Sequence, residues 1–213
     1  MAKKTLYEKY DKKLSPSLPK LAFPGRIFVI TTEKEAEKAV DFLMKFHLLG
    51  IDTETKPSFK KHVMHKVALL QVSTENECFL FRLNRLGISS AILRLLESDI
   101  LKVGVSLSDD IRMISARTKF HPDNFVDLQK MVELLGIKDK SLAKLYANLF
   151  GKKISKSQQL SNWECDILSE AQMQYAAIDA WACINLYKEI KHLINTQDYE
   201  LIINDEESLS EEG

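Results

Sequence analysis

The spacing of apolar residues changes character near residue 107, and that change constrains the fold more than any other property of the chain. Before it they come in short runs: IFVI (27–30), LLGIDTET (48–55), VALLQVST (67–74) and ECFLFRL (77–83), rich in β-branched and aromatic residues. In LKVGVSL, Leu101, Val103, Val105 and Leu107 alternate with Lys102, Gly104 and Ser106. Such runs and such alternation suit pleated strands, whose successive side chains leave on opposite faces. Residues 48–83 read as a three-stranded meander. After the change, the segments 110–116, 128–135, 142–150 and 169–196 follow helical spacing, the last opened by a capping box of Ser169 and Gln172. Two helices lie among the strands. Thr32 with Glu35 caps one that aligns Ala36, Val40 and Leu43, and Ile88, Ile92 and Leu95 mark the other. Strands early, with helices interleaved and then dominant, predict an α/β domain in three layers around a mixed sheet.

The flanks have a different composition. Residues 1–26, with Pro16, Pro19 and Pro24 among lysines, show no clear period and are expected to form an extended arm that packs onto a domain spanning 27–196. Residues 197–213 form an acidic tail whose last part, NDEESLSEEG, is expected to be disordered. With 45% hydrophobic residues the chain suits one core, and 30 basic residues balance 30 acidic ones, so any surface that attracts phosphate must come from local clusters. Cys78, Cys165 and Cys183 are odd in number and form no CxxC pair, which argues against a disulfide framework or a thiolate zinc site and fits a reducing cytoplasm. The charged start lacks an apolar stretch behind it, and no run approaches the roughly 20 apolar residues of a membrane span, so no membrane is expected. Nothing in the sequence demands an obligatory protein partner.

Four acidic residues are the candidates for the chemistry. Asp52 and Glu54 are two apart on an expected strand and so project from one face, which is how a strand offers a divalent cation two hard oxygen ligands. Taken alone, the pair also suits a solvent-facing strand end. Asp110 falls in the first turn of a helix, where a carboxylate equally serves as a cap; Asp109 beside it could supply the same group. Asp179 interrupts an apolar stripe made with Ala176, Cys183 and Leu186. Burying an ionised carboxylate costs several kcal/mol unless a cation or a hydrogen-bond network meets it. Tyr175 lies one turn earlier on the same face, as a core tyrosine or as a group acting at the same site.

Together these residues resemble the DEDD exonucleases of the subclass with a tyrosine in the third motif, over roughly residues 27–194. GIDTET resembles the first motif, KVGVSLSDDIRMI the second and YAAIDA the third. FVDLQ, SLAKLYANLFGKKI and KSQQLSNWECDILSEAQMQYAAIDA are similar to connecting segments of RNase D-like and Werner-type exonuclease domains. The resemblance implies a ribonuclease H-like fold and 3′→5′ removal of nucleoside monophosphates from a nucleic acid with a free 3′ end, DNA or RNA. It also implies two divalent ions, Mg²⁺ or Mn²⁺, held by Asp52, Glu54, Asp110 and Asp179, and it selects Asp110 over Asp109. Tyr175 is implied to position the attacking water. With an ordinary phenol pKa near 10 it makes a poor base at neutral pH.

Lys56, Lys60, Lys61, His62, His65 and Lys66 crowd the segment after the first motif and are expected to meet phosphate, as is Lys156 in a second patch with Lys152 and Lys153. Trp163 could stack on a base or fix an irregular segment by packing. The competing reading is a catalytically silent nucleic-acid-binding or scaffold domain of the same fold.

Overall fold

The meander and the final helix anticipated by periodicity form the middle of the molecule. The structure, a computed structural model, describes residues 3–58 and 65–203. A strand β1 (Lys4–Tyr7) and a 3₁₀ turn over Lys12–Ser17 precede β2 (Arg26–Ile30). Helix α1 (Glu33–Leu43) follows, opened by the expected capping box of Thr32 and Glu35. β3 (Leu48–Thr55), β4 (Val67–Ser73) and β5 (Glu77–Phe81) make the meander. Then come the short α2 (Leu83–Leu86), α3 (Ser90–Leu96), β6 (Leu101–Gly104) and α4 (Leu107–Ser115). The chain continues through β7 (Phe125–Asp127), α5 (Leu128–Glu133), α6 (Leu142–Phe150), α7 (Glu170–Thr196) and β8 (Tyr199–Ile202).

Six strands pair in the order β2-β5-β4-β3-β6-β7. The β3–β4 and β4–β5 pairs are antiparallel and the rest parallel, so the sheet is mixed. Alternation along the strands divides the core in two. Leu49, Ile51, Leu70 and Phe81 pack with Ala36, Val40 and Leu95 of α1 and α3 on one face. Leu69, Leu80 and Val103 pack with residues of α5, α6 and α7 on the other. This is the three-layer ribonuclease H-like α/β arrangement expected.

The strand expected through Leu107 stops at Gly104, and Leu107 opens α4. Ser106 turns the chain with φ 65°, and the backbone N–H groups of Ser106 and Leu107 donate to the Asp127 carboxylate at 3.1 Å each. Lys102, a polar position of the alternation, is fully buried. Its ammonium donates to the carbonyls of Ser98 (2.8 Å) and Ile100 (2.7 Å), and burial lowers its pKa to about 8.

The flanks differ most from expectation. β1, within the arm, pairs in parallel with β8, within the stretch assigned to the tail, as a separate two-stranded sheet. Leu6, Tyr10, Leu21 and Phe23 are buried, Asn148 brackets the Tyr7 N–H (3.0 Å) and carbonyl (2.7 Å), and Asp139 accepts from the Tyr10 N–H at 2.6 Å. Residues 204–213, expected to be disordered, lie outside the described residues.

Candidate active site

A missing side chain sets the geometry of the site. Gly50, Asp52 and Glu54 share one face of β3, the face that α7 covers. A Cβ at residue 50 would meet the Ala180 carbonyl oxygen at 1.9 Å, so only glycine lets the helix approach this closely. That approach brings Asp179, 5% exposed, to Asp52 and Glu54. Asp110 arrives from the first turn of α4, and the Thr53 hydroxyl donates to its carboxylate. Asp109 instead lies exposed and pairs with Arg112 at 2.8 Å. The turn carrying Asp110 is held by Asp127, which also caps α5 by accepting from the Gln129 N–H at 3.0 Å.

Asp52, Glu54, Tyr175 and Asp179 line a cavity of about 260 Å³ with Thr53, Val105, Ser141, Leu142, Ala143, Ile154, Lys156, Gln159 and Cys183. Its electrostatics follow from crowding acids against apolar walls. Burial first, then the charges of Asp110, Asp179 and Glu54, pushes Asp52 well above the usual carboxylate range. Burial, then Asp179 and Asp110, raises Glu54 to about 9. Burial raises Asp179 to about 7, opposed by a hydrogen bond from Tyr175 and by the charge of Lys156. Burial likewise raises Asp110 to about 6, opposed by the bond from Thr53. Tyr175 is shifted upward by burial and then by Asp179 and Glu54, so its phenol keeps its proton at neutral pH.

Four hard oxygen donors that repel one another are the chemistry that Mg²⁺ or Mn²⁺ matches, and the donor set therefore fits such ions. Among the described residues, no three His, Cys, Asp or Glu side chains are arranged as a finished metal cage.

The basic residues separate. Lys156 is exposed at the cavity, where its charge acts on Asp179. Lys56 pairs with Glu164 at 3.4 Å, a carboxylate it shares with His65 Nδ1 at 3.8 Å, so its charge is partly compensated. Lys66 is exposed beside a different depression, with His65, Asn84 and Arg117. Lys152 is exposed and Lys153 half-buried. Lys60, Lys61 and His62 lie outside the described residues. Base stacking by Trp163 is overturned: the ring is 0% exposed and packs 6.0 Å from the Tyr175 ring, centroid to centroid, which leaves the packing role.

Two residues of the site were missed in the sequence. Asp127 lies within FVDLQ, directly before a helical run, where an aspartate is a cap signal. Gln71 stands opposite Asp52 in the β3–β4 register and is fully buried, with neither end of its amide paired among the described residues. A lone amide in the apolar run VALLQVS was the signal available for it.

Comparison with known proteins identifies the family of the domain and its fold. The sequence profile of a 3′–5′ exonuclease family matches residues 27–195. A 3′–5′ exonuclease of Arabidopsis thaliana is 32% identical over 200 residues, covering 83% of this chain and 67% of the plant protein. The bifunctional 3′–5′ exonuclease/ATP-dependent helicase WRN of Mus musculus is 28% identical over 92% of this chain, which spans only 15% of the mouse protein. In structure, the Nibbler EXO domain of Aedes aegypti superposes with a TM-score of 0.72 at 20% identity, covering 82% of this chain and 91% of that one, a likeness of fold.

Proposed function

Because the chain belongs to the 3′–5′ exonuclease family, we propose that it releases nucleoside monophosphates from the 3′ end of a DNA or RNA strand by phosphodiester hydrolysis at the cavity lined by Asp52, Glu54 and Asp179, with Asp110 behind Thr53 at its edge. One observation carries the assignment to this site: carboxylates from β3, α4 and α7 act on one another in a single half-buried cluster, each held above its ordinary pKa. Such mutual destabilisation is kept where a site needs it.

The four acids would hold two divalent cations, which when bound stabilise charge on the attacking and leaving oxygens. Asp52 feels the other three acids and would be one of the residues that hold the ions. Tyr175 keeps its proton, so it orients the attacking water by its hydroxyl while bonded to Asp179, and does not act as a base. Lys156 places an ammonium at the cavity, where it meets a phosphate oxygen of the strand. Val105, Leu142, Ala143 and Ile154 exclude water and strengthen each of these interactions. Three free cysteines support a reducing, cytoplasmic setting.

The test is a 5′-labelled single strand incubated with Mn²⁺ or Mg²⁺, with DNA and RNA run side by side. Products shortened stepwise from the 3′ end, and lost in chelator, are expected. An intact strand after prolonged incubation with excess protein and either metal would sink the proposal.

A further inference from the structure

A second groove lies against the wall of the acidic cavity. It has a volume of about 370 Å³ and shares Ala143, Ile154 and Lys156 with that cavity, so the two adjoin. Four lysines line it: Lys12 from the 3₁₀ turn of the arm, Lys144 from α6, and Lys153 and Lys156 from the loop after α6. No carboxylate lines it. Lys144 is compensated by Asp139, whereas Lys153 donates only to the neutral Pro16 carbonyl. The Lys12 ammonium has no partner among the described residues.

The arm is a built wall of this groove. The Leu21 N–H donates to the Lys153 carbonyl at 2.9 Å, the Lys153 N–H donates to the Pro19 carbonyl at 3.0 Å, and the Lys153 ammonium holds Pro16. The arm lies outside residues 27–195, the stretch that the family profile matches.

We propose that the arm completes a track for the sugar-phosphate backbone of a single strand whose 3′ end occupies the acidic cavity, with Lys12 contacting a phosphate upstream of the scissile bond. This rests on the exonuclease reading and adds the substrate's path to it. The chemistry is complementary: the Lys12 and Lys153 ammonium groups, which pair with no carboxylate among the described residues, meet phosphates of the strand. The arm would therefore matter for long strands and be indifferent to substrates too short to reach it.

Lys12 is exposed and unpartnered, so its replacement leaves the fold intact. The test compares the parent, Lys12→Ala and Lys12→Arg, using labelled single-stranded decanucleotides and dinucleotides. Affinity is measured in chelator at several salt concentrations, and hydrolysis with Mn²⁺. Lys12→Ala should weaken decanucleotide binding several-fold and make the slope of log affinity against log salt shallower by about 0.7, the share of one phosphate contact on a single strand. Lys12→Arg should restore both, and dinucleotide hydrolysis should be unchanged in all three proteins. Unaltered decanucleotide affinity and slope in Lys12→Ala would overturn the proposal, as would equal losses on both substrates. An acidic peptide with the sequence of residues 204–213 that binds as tightly, with the same dependence on Lys12, would assign the groove to protein and also overturn it. A parent that binds strands through Lys12 but hydrolyses none keeps the track and loses the exonuclease reading. A parent that hydrolyses strands regardless of residue 12 does the reverse.

Discussion

The Tyr175 hydroxyl is bonded to Asp179 and its ring is packed near buried Trp163, so removing the oxygen alone separates its chemical from its structural use. Tyr175→Phe should keep substrate affinity and slow the chemical step by about 10²–10⁴-fold, the range for a lost positioned proton-handling group. A loss under about tenfold, below that range, would return Tyr175 to packing. The adjacent aspartates differ in the same way. Asp110 faces Thr53 and the acid cluster, while Asp109 is exposed with Arg112, so Asp110→Asn should nearly abolish trimming and Asp109→Asn should be mild. The reverse order, read from initial rates, would put the wrong residue in the site. Spacing could not choose between these neighbours, because both occupy the first turn of one helix. The choice came from resemblance, and the structure adds the partners: a hydroxyl for one, an arginine for the other. Trp163 was ambiguous for a similar reason, since an aromatic in an irregular segment has no period to say which way it faces.

Long elements with strong periods were legible, down to the ends of β3 and the capping boxes of α1 and α7. β1, β7 and β8, of three or four residues, were not, because such strands exist only through partners distant in sequence: Lys4 stands against Tyr199, and Lys102 against Phe125. The strand β6 was read too long because Val105 and Leu107 prolong its alternation, while the turn that ends it is made by Asp127, some twenty residues on. Two predictions follow from these junctions. Gly50→Ala sets a Cβ against the Ala180 carbonyl and should destabilise the protein by about 1–3 kcal/mol in chemical denaturation, as overpacking does, while reducing trimming by shifting Asp179. Parental stability and activity would mean that α7 yields without cost. Asp127→Ala leaves the N–H groups of Ser106, Leu107 and Gln129 without their acceptor and should cost about 1–3 kcal/mol, with a loss of activity through Asp110. Full activity in a destabilised variant would separate the turn from the site.

At the scale of the whole molecule, the acid cluster opposes the fold that assembles it. Carboxyls raised in the folded state hold protons that the unfolded chain releases from about pH 4 upward, so the folded state loses stability as pH rises through their values. Those values are about 6 for Asp110, about 7 for Asp179 and about 9 for Glu54, with burial the main cause in each. In chelator the protein should therefore melt lower at pH 9 than at pH 5, and Asp110→Asn should melt higher than the parent at neutral pH. Divalent ions that bind only the assembled site should stabilise it by about 2.7 kcal/mol at a hundredfold excess over Kd, and more effectively as pH rises. A chelated protein that melts higher at pH 9, or is indifferent to Mn²⁺, would mean that the acids do not act on one another as described. The central claim, that these acids form the hydrolytic site, is tested most directly by the rate at which Asp179→Asn shortens a 5′-labelled single strand in Mn²⁺, with circular dichroism verifying that α7 is intact. No detectable shortening by a folded variant beside a stepwise ladder from the parent is the predicted result; shortening at the parental rate would contradict it.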